Sequence, residues 1–217
     1  MIKNKDVIIR GELIFKSQNA LFIDRDGVII KDMHYINDDK DVMLEEGAKE
    51  FLQQCSLDSI PVFIVTNQSG IKRGYSSWES YKAVTSRMLE LLDHPSCIKA
   101  IYANSFTTNS ESLNTNEWRK PQPGMILEAK KYWQINIDNS IIVGDRLTDI
   151  IAGARAGIKR AYHVLTGHGS KSRAEVLQSS KLPWRDIYQS DMPDIKYIKS
   201  LECIKQEIVS GNLWSVK

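Results

Sequence analysis

The sequence predicts a doubly wound, Rossmann-like α/β fold, three layers deep, with a central and mainly parallel sheet. Two observations carry that expectation, and a third says where its chemistry lies. Short continuous apolar runs recur along the chain, rich in β-branched and aromatic residues, the pattern of strands covered on both faces. Helical patterns fill the intervals, the alternation that builds βαβ units. Four polar clusters are expected at strand ends, and in open α/β sheets ligands bind beyond the carboxyl ends of the strands.

In chain order, Val7 to Phe15 reads as an edge strand or hairpin ahead of the core. Ala20 to Ile23 is the first core strand, and Glu45 to Cys55 a helix. Val62 to Val65 is the next strand. Ser76 with Glu79 forms a capping box, after which Tyr81, Val84, Met88, Leu91 and Leu92 recur at helical spacing. Ile98 to Ala103 is a further strand. Pro123 suits a first helical turn ahead of Met125 to Ala129. Ile141 to Val143 and Ala161 to Val164 are strands that flank a small-residue helix, Asp149 to Ala156, with Gly157 as its C-cap. Ser170 to Asp191 reads as a short helix and loop, and Ser200 to Val209 as a closing helix.

Composition excludes several classes. With 217 residues, 42% hydrophobic and 26% charged, the chain sits near globular averages and is neither disordered nor fibrous. Lys and Arg number 29 against 27 Asp and Glu, a net charge of +2, so no nucleic-acid partner is expected. No apolar run approaches the roughly 20 residues of a membrane span, and Met1 to Arg10 does not read as a signal peptide. Cys55, Cys97 and Cys203 are sparse, odd in number and far apart, which suggests buried thiols in a reducing compartment. A cytoplasmic protein without a membrane partner is expected.

The four clusters differ in chemistry. Asp24-Arg25-Asp26-Gly27 places two carboxylates on a turn leaving a strand; it is either an ordinary acidic turn or a reactive pair. A calcium loop is excluded, because Gly and Glu would be needed where Ile29 and Tyr35 stand. Thr66-Asn67-Gln68-Ser69-Gly70 offers a hydroxyl and backbone N–H groups, a phosphoryl cradle or simply good turn chemistry. Arg119-Lys120-Pro121-Gln122-Pro123-Gly124 fixes a lysine just ahead of a helix, where a solvated basic pair is the plain alternative. Gly144-Asp145-Arg146-Leu147-Thr148-Asp149 puts carboxylates four apart on one face of a starting helix, where the helix dipole alone would favour them. All four arising by accident, in this order, is improbable.

In that order, over about residues 20 to 165, the clusters resemble the four motifs of the haloacid dehalogenase superfamily of phosphohydrolases. Phe22 to Ile29 resembles the first motif of its heptose 1,7-bisphosphate phosphatase and histidinol-phosphate phosphatase groups, and Thr66 to Ile71 with Arg73-Gly74-Tyr75 resembles the heptose branch in particular. Arg119 to Met125 is similarly close, so that heptose 1,7-bisphosphate is the substrate the resemblance implies first. The resemblance implies a nucleophile, Asp24, an acid–base, Asp26, and phosphate ligands, Thr66 and Lys120. It implies Mg²⁺ held by Asp24, the backbone carbonyl of Asp26 and Asp145, with Asp149 orienting the metal's waters or Lys120. Asn67, Gln68, Ser69, Arg73, Arg119, Arg146, Asp32, His34 and Tyr35 are the substrate-binding candidates it supplies. His94, His163 and His168 read as structural or solvent-facing.

Many of the heptose group carry a zinc site of three cysteines and a histidine before the third motif. Asn104 to Trp118 has neither residue, so no structural zinc is expected, and Phe106 with Trp118 are the candidates to order that loop. No gap houses a separate cap domain. The expectation is therefore one capless phosphatase domain over 1–217, with extensions at 1–19 and 170–217, a small phosphorylated substrate, and a monomer or weak dimer. The competing readings are a histidinol-phosphate or other small-metabolite phosphatase, a polynucleotide 3′-phosphatase, and a non-catalytic binding protein on the same fold.

Overall fold

The computed structural model describes residues 5–10, 18–107 and 117–215. Among the described residues, seven strands form one sheet: β1 (Lys5–Ile9), β2 (Leu21–Ile23), β3 (Val62–Asn67), β4 (Ile98–Asn104), β5 (Ile141–Gly144), β6 (Arg160–His163) and β7 (Asp194–Tyr197), in the order β1-β4-β3-β2-β5-β6-β7. Among the strand pairs of the described residues, β1–β4 alone is antiparallel. The helices are α1 (Ala48–Leu57), α2 (Ser69–Lys72), α3 (Trp78–Leu91), α4 (Gly124–Trp133), α5 (Leu147–Ala156), α6 (Gly169–Ser179), α7 (Trp184–Tyr188) and α8 (Leu201–Val209).

Alternation along the strands splits the core into two apolar layers. Leu21, Ile23, Ile64, Ile141 and Val143 face α1, α3 and α8 through Phe51, Met88 and Ile204. Phe22, Phe63, Val65 and Ile142 face α4 and α5 through Trp133, Ala129 and Ile150. Phe63 sits 5.5 Å from both Phe22 and Trp133, ring centre to ring centre, and anchors the second layer. This is the three-layer, doubly wound arrangement that the alternating runs predict.

Four elements depart from the sequence reading. The cap of α3 is Ser77, not Ser76: its backbone is extended and its hydroxyl accepts from the Ser80 N–H at 3.1 Å. β3 runs on to Asn67 because Thr66 and Asn67 still pair with Ala103 and Asn104 of β4. Residues 170–191 hold two helices, α6 and α7, separated at Pro183, the residue that caps α7. β7 has no strong apolar run; it is a half-exposed edge strand held by β6. Val7 to Ile9 is in β1, whereas residues 11–17 of the expected hairpin lie outside the described residues. No helix of the described residues is long and apolar enough to cross a membrane.

Candidate active site

β2, β3 and β5 are adjacent in the sheet, so what leaves their carboxyl ends converges. Asp24 follows β2 and its N–H donates to Val143 of β5 at 3.0 Å. Thr66 is the penultimate residue of β3 and Asp145 follows β5. A pocket of about 340 Å³ opens there, lined at its floor by Asp24, Asp26, Thr66, Lys120 and Asp149.

Asp24, Asp145 and Asp149 each place a carboxylate oxygen within 4.8 Å of the others, and all three are buried. Burial raises the Asp24 carboxyl to about 7; Lys120 opposes that rise, and Asp149 and Asp26 add to it. Burial, with Asp149 and Asp24 beside it, raises the Asp145 carboxyl to about 8, against the opposing pull of the His168 N–H and Arg146. Asp145 Oδ2 accepts that N–H at 2.7 Å, while its Oδ1 is buried with no hydrogen-bond partner. An orphaned carboxylate oxygen aimed into a crowd of carboxylates is a donor set for a hard divalent cation, and the residues present fit one. Gly27 and Gly167 make room: a Cβ on either would meet Asp145 Oδ2, at 2.6 and 2.5 Å, and both residues have positive φ.

Lys120 is the buried counter-charge. Its Nζ lies 2.9 Å from Asp24 Oδ1 and 2.6 Å from Asp149 Oδ1, and it donates to the Val65 carbonyl at 2.8 Å. Burial opposes its charge, but Asp149 and Asp24 outweigh burial and raise its pKa, so it is an ammonium throughout the ordinary pH range. Asn67 fixes the segment that carries it. The Asn67 Oδ1 accepts from the Lys120 N–H at 3.1 Å and from Asn104 Nδ2 at 2.8 Å, and its Nδ2 donates to the Lys120 carbonyl at 3.1 Å. Asn67 lines the pocket as the sequence suggests, but its amide is spent on positioning the lysine.

The carboxylate of Asp26 points elsewhere than the other three. It accepts from Arg25 Nη2 at 2.9 Å, from Gln68 Nε2 at 2.7 Å and from the Thr66 hydroxyl at 3.2 Å. Burial would raise its pKa, but the Arg25 guanidinium, with Gln68 and Thr66, brings it below the usual carboxylate range. Arg25 is itself wholly buried, bonded to Thr85 Oγ1 at 3.1 Å and stacked 5.1 Å over Tyr81. Its place inside the first cluster gave no sign of that anchoring role.

The pocket mouth gathers most of the remaining candidates: Asp32, His34, Tyr35, Gln68, Ser69, Arg73, Arg119 and Arg146 all line it. Arg73 Nη1 donates to the Tyr35 hydroxyl at 2.9 Å, and the Tyr35 ring packs against Gly70, where any Cβ would strike it. Arg119 braces the Phe106 carbonyl at 2.8 Å, and burial together with Arg73 and Arg146 lowers its pKa. Three guanidiniums that repel one another across a pocket form a site for an anion.

His168 corrects the sequence reading. It is a pocket residue, with Nε2 2.6 Å from Asp32 Oδ2. The same strand-end rule would have found it, because Thr166-Gly167-His168 follows β6 as the other clusters follow their strands. His163 is structural as expected: its Nε2 meets the Asp145 carbonyl at 3.1 Å and its Nδ1 accepts from Arg173. Burial, then Arg173, lowers its pKa to about 4, which keeps it neutral. In the loop before Lys120, Trp118 packs 5.9 Å from Tyr102 and is buried, whereas Phe106 is half-buried. Residues 108–116, where a zinc loop would lie, are outside the described residues.

The fold and site together define a class, a hydrolase that works on phosphoryl groups with paired aspartates and a buried lysine. A HAD-hydrolase-like family model matches residues 117–187. The chain is 38% identical over 149 residues to the D-glycero-beta-D-manno-heptose-1,7-bisphosphate 7-phosphatase of Mesorhizobium japonicum, covering 67% of this chain and 69% of the relative. It is 36% identical to the D-glycero-alpha-D-manno-heptose-1,7-bisphosphate 7-phosphatase of Photorhabdus laumondii, covering 71% and 86%. Among solved structures, a HAD-like protein from Mesorhizobium loti superposes with a TM-score of 0.68 at 35% identity, over 75% of this chain and 80% of its own. The D,D-heptose 1,7-bisphosphate phosphatase of B. bronchiseptica, solved with magnesium and phosphate, shares the fold at a TM-score of 0.73 and 22% identity, over 89% and 99%. The chain belongs to the haloacid dehalogenase-like phosphatases, within the heptose bisphosphate phosphatase group, and is a phosphoric monoester hydrolase.

Proposed function

We propose that the chain is a Mg²⁺-dependent phosphatase of a small sugar bisphosphate, heptose 1,7-bisphosphate, working through an aspartyl-phosphate on Asp24. One observation carries the reading: three buried carboxylates and a buried lysine meet at one strand edge, below a mouth that holds three arginines. The arginines favour a substrate with a second anionic group over a simple monoester, and the curated relatives are named for such a substrate.

Asp24, Asp145 and the Asp26 backbone carbonyl would hold Mg²⁺, with Asp149 set to orient its waters; bound there, the ion keeps Asp24 ionised and offsets the charge of the incoming phosphate. Asp24 attacks phosphorus, and the bond from phosphorus to the sugar oxygen breaks. Asp26 gives that oxygen its proton. A bound phosphate brings negative charge beside Asp26 and raises its proton affinity, offsetting the pull of Arg25. Asp26 then takes a proton from the water that attacks the aspartyl-phosphate, releasing inorganic phosphate and restoring Asp24. Thr66 and Lys120 hold the non-bridging oxygens, where charge must be met through the transition state. Gln68 holds Asp26 and Thr66 in register. Ser69, Tyr35, Arg73, Arg119 and Arg146 contact the sugar and its distal phosphate, with Asp32 and His34 beside them at the pocket mouth.

The connections from β2 to α1 and from β3 to β4 hold no inserted domain, which favours a single capless domain with loop-set specificity. A cytoplasmic monomer or weak dimer fits that reading. The test is phosphate release from heptose 1,7-bisphosphate, histidinol phosphate and nucleotides, each with Mg²⁺ and with chelator. The bisphosphate should lead by kcat/KM, with no turnover in chelator. A lead for histidinol phosphate moves the substrate to the alternative, and metal-free turnover overturns the mechanism.

A further inference from the structure

A second group of ligand atoms lies in the same pocket, apart from the three buried aspartates. Asp32, His34 and His168 each offer an oxygen or ring nitrogen within 4.8 Å of the other two. The two imidazoles and one carboxylate come from two loops, one leading away from β2 and one following β6. Their backbones are tied down. The His34 N–H donates to Asp32 Oδ1 at 3.0 Å, while Oδ2 faces His168 Nε2 at 2.6 Å, with Arg146 Nη2 3.9 Å from the same oxygen. The His168 N–H is bonded to Asp145. The two rings stand 6.0 Å apart, centre to centre, and are tilted rather than stacked. His34 and Tyr35 both have positive φ, at 48° and 54°, so the chain takes two consecutive unfavourable conformations at the point where it presents the imidazole.

We propose that Asp32, His34 and His168 bind an exchangeable transition-metal ion of the zinc type at the pocket mouth, separate from the Mg²⁺ site. Two imidazoles select a borderline ion such as Zn²⁺ over Mg²⁺ or Ca²⁺, which prefer oxygen donors. Ligands of a tetrahedral zinc stand roughly 3.3 Å apart for bonds of about 2.0–2.1 Å. The present separations therefore need only small side-chain rotations, with the Asp32–His168 contact opening to admit the ion. Three protein donors leave a coordination position open, and the group faces a pocket that Arg73, Arg119 and Arg146 also line. An anionic group of the substrate fits that position. This site is distinct from the zinc loop of the related phosphatases, whose ligands residues 104–118 do not contain.

The experiment counts metal rather than turnover, so its outcome is separable from that of the phosphatase reading. The full chain, stripped of metal and saturated with Mg²⁺, is titrated with Zn²⁺ by calorimetry, and with Co²⁺ by visible absorption. One Zn²⁺ per chain should bind despite excess Mg²⁺, and Co²⁺ should give the intense visible bands of a low-coordinate site with imidazole ligands. His34→Ala and His168→Ala should each weaken Zn²⁺ binding by on the order of tenfold or more, whereas Asp24→Asn, which removes a ligand of the other site and touches none of these three residues, should leave it in place. Thermal melts of each variant without added metal establish that it is folded. Zn²⁺ binding that Mg²⁺ displaces, or that survives both histidine substitutions, or that is lost in Asp24→Asn, overturns the proposal.

Discussion

At the scale of single residues, the floor of the pocket is a balance of buried charges. Asp24 and Asp149 share one lysine, and Asp145 has no cation of its own within that set. Asp24→Asn removes a carboxyl whose ionisation burial already opposes, so the variant should fold and melt no lower than the parent. Its phosphate release should fall by at least about 10³-fold, since the nucleophile is gone. A variant that retains parental turnover removes Asp24 from the reaction. At the mouth, Arg73→Gln should raise KM for a sugar bisphosphate by about tenfold to a hundredfold with kcat little changed, and should affect a monophosphate far less. Equal effects on both substrates would mean that Arg73 meets no second phosphate. Most of these residues were legible because each follows an apolar run, and strand ends are where an open sheet places its chemistry. Arg25 and His168 were not. A buried guanidinium looks like any surface arginine in sequence, and the partner of His168, Asp32, is far away along the chain.

At the scale of elements, the glycines of the loops decide what the strand ends can hold. Gly167→Ala would press a methyl group onto Asp145 Oδ2 and the Gly27 backbone at a positive φ. We expect a loss of about 1–3 kcal/mol in stability and a Mg²⁺ requirement raised at least severalfold, read from activity against Mg²⁺ concentration. Gly70→Ala strikes the Tyr35 ring instead. It should raise KM and leave the Mg²⁺ requirement near that of the parent. If the two variants behave alike, the separation between metal floor and substrate rim is wrong. The core strands were readable because they are buried on both faces and so show unbroken apolar runs. β1 and β7 are edges with mixed composition, and the helix pair at 169–188 has little apolar periodicity, so sequence pattern placed those elements loosely.

At the scale of the whole molecule, the two apolar layers share one sheet, so the described residues should unfold as one cooperative unit. Proton linkage then reaches global stability. The Asp24 and Asp145 carboxyls are raised in the folded, metal-free protein to about 7 and about 8, from about 4 when unfolded. The folded state therefore holds more protons than the unfolded state between those values. The stability of the metal-free protein should fall as pH rises from about 4 to about 8, as far as these two groups contribute. Mg²⁺ competes with those protons, so the rise in Tm on adding Mg²⁺ should be larger at pH 8 than at pH 6. A pH-independent Mg²⁺ shift in calorimetric melts would contradict the assignment of these two carboxylates. The adjacency of β2, β3 and β5 has one more consequence. The reacting groups are set by interstrand spacing, whereas the groups that would greet the sugar sit on separate crossover connections. Lineages can thus redraft the doorway piece by piece and acquire new clientele, while the bond-breaking apparatus behind it is inherited unaltered.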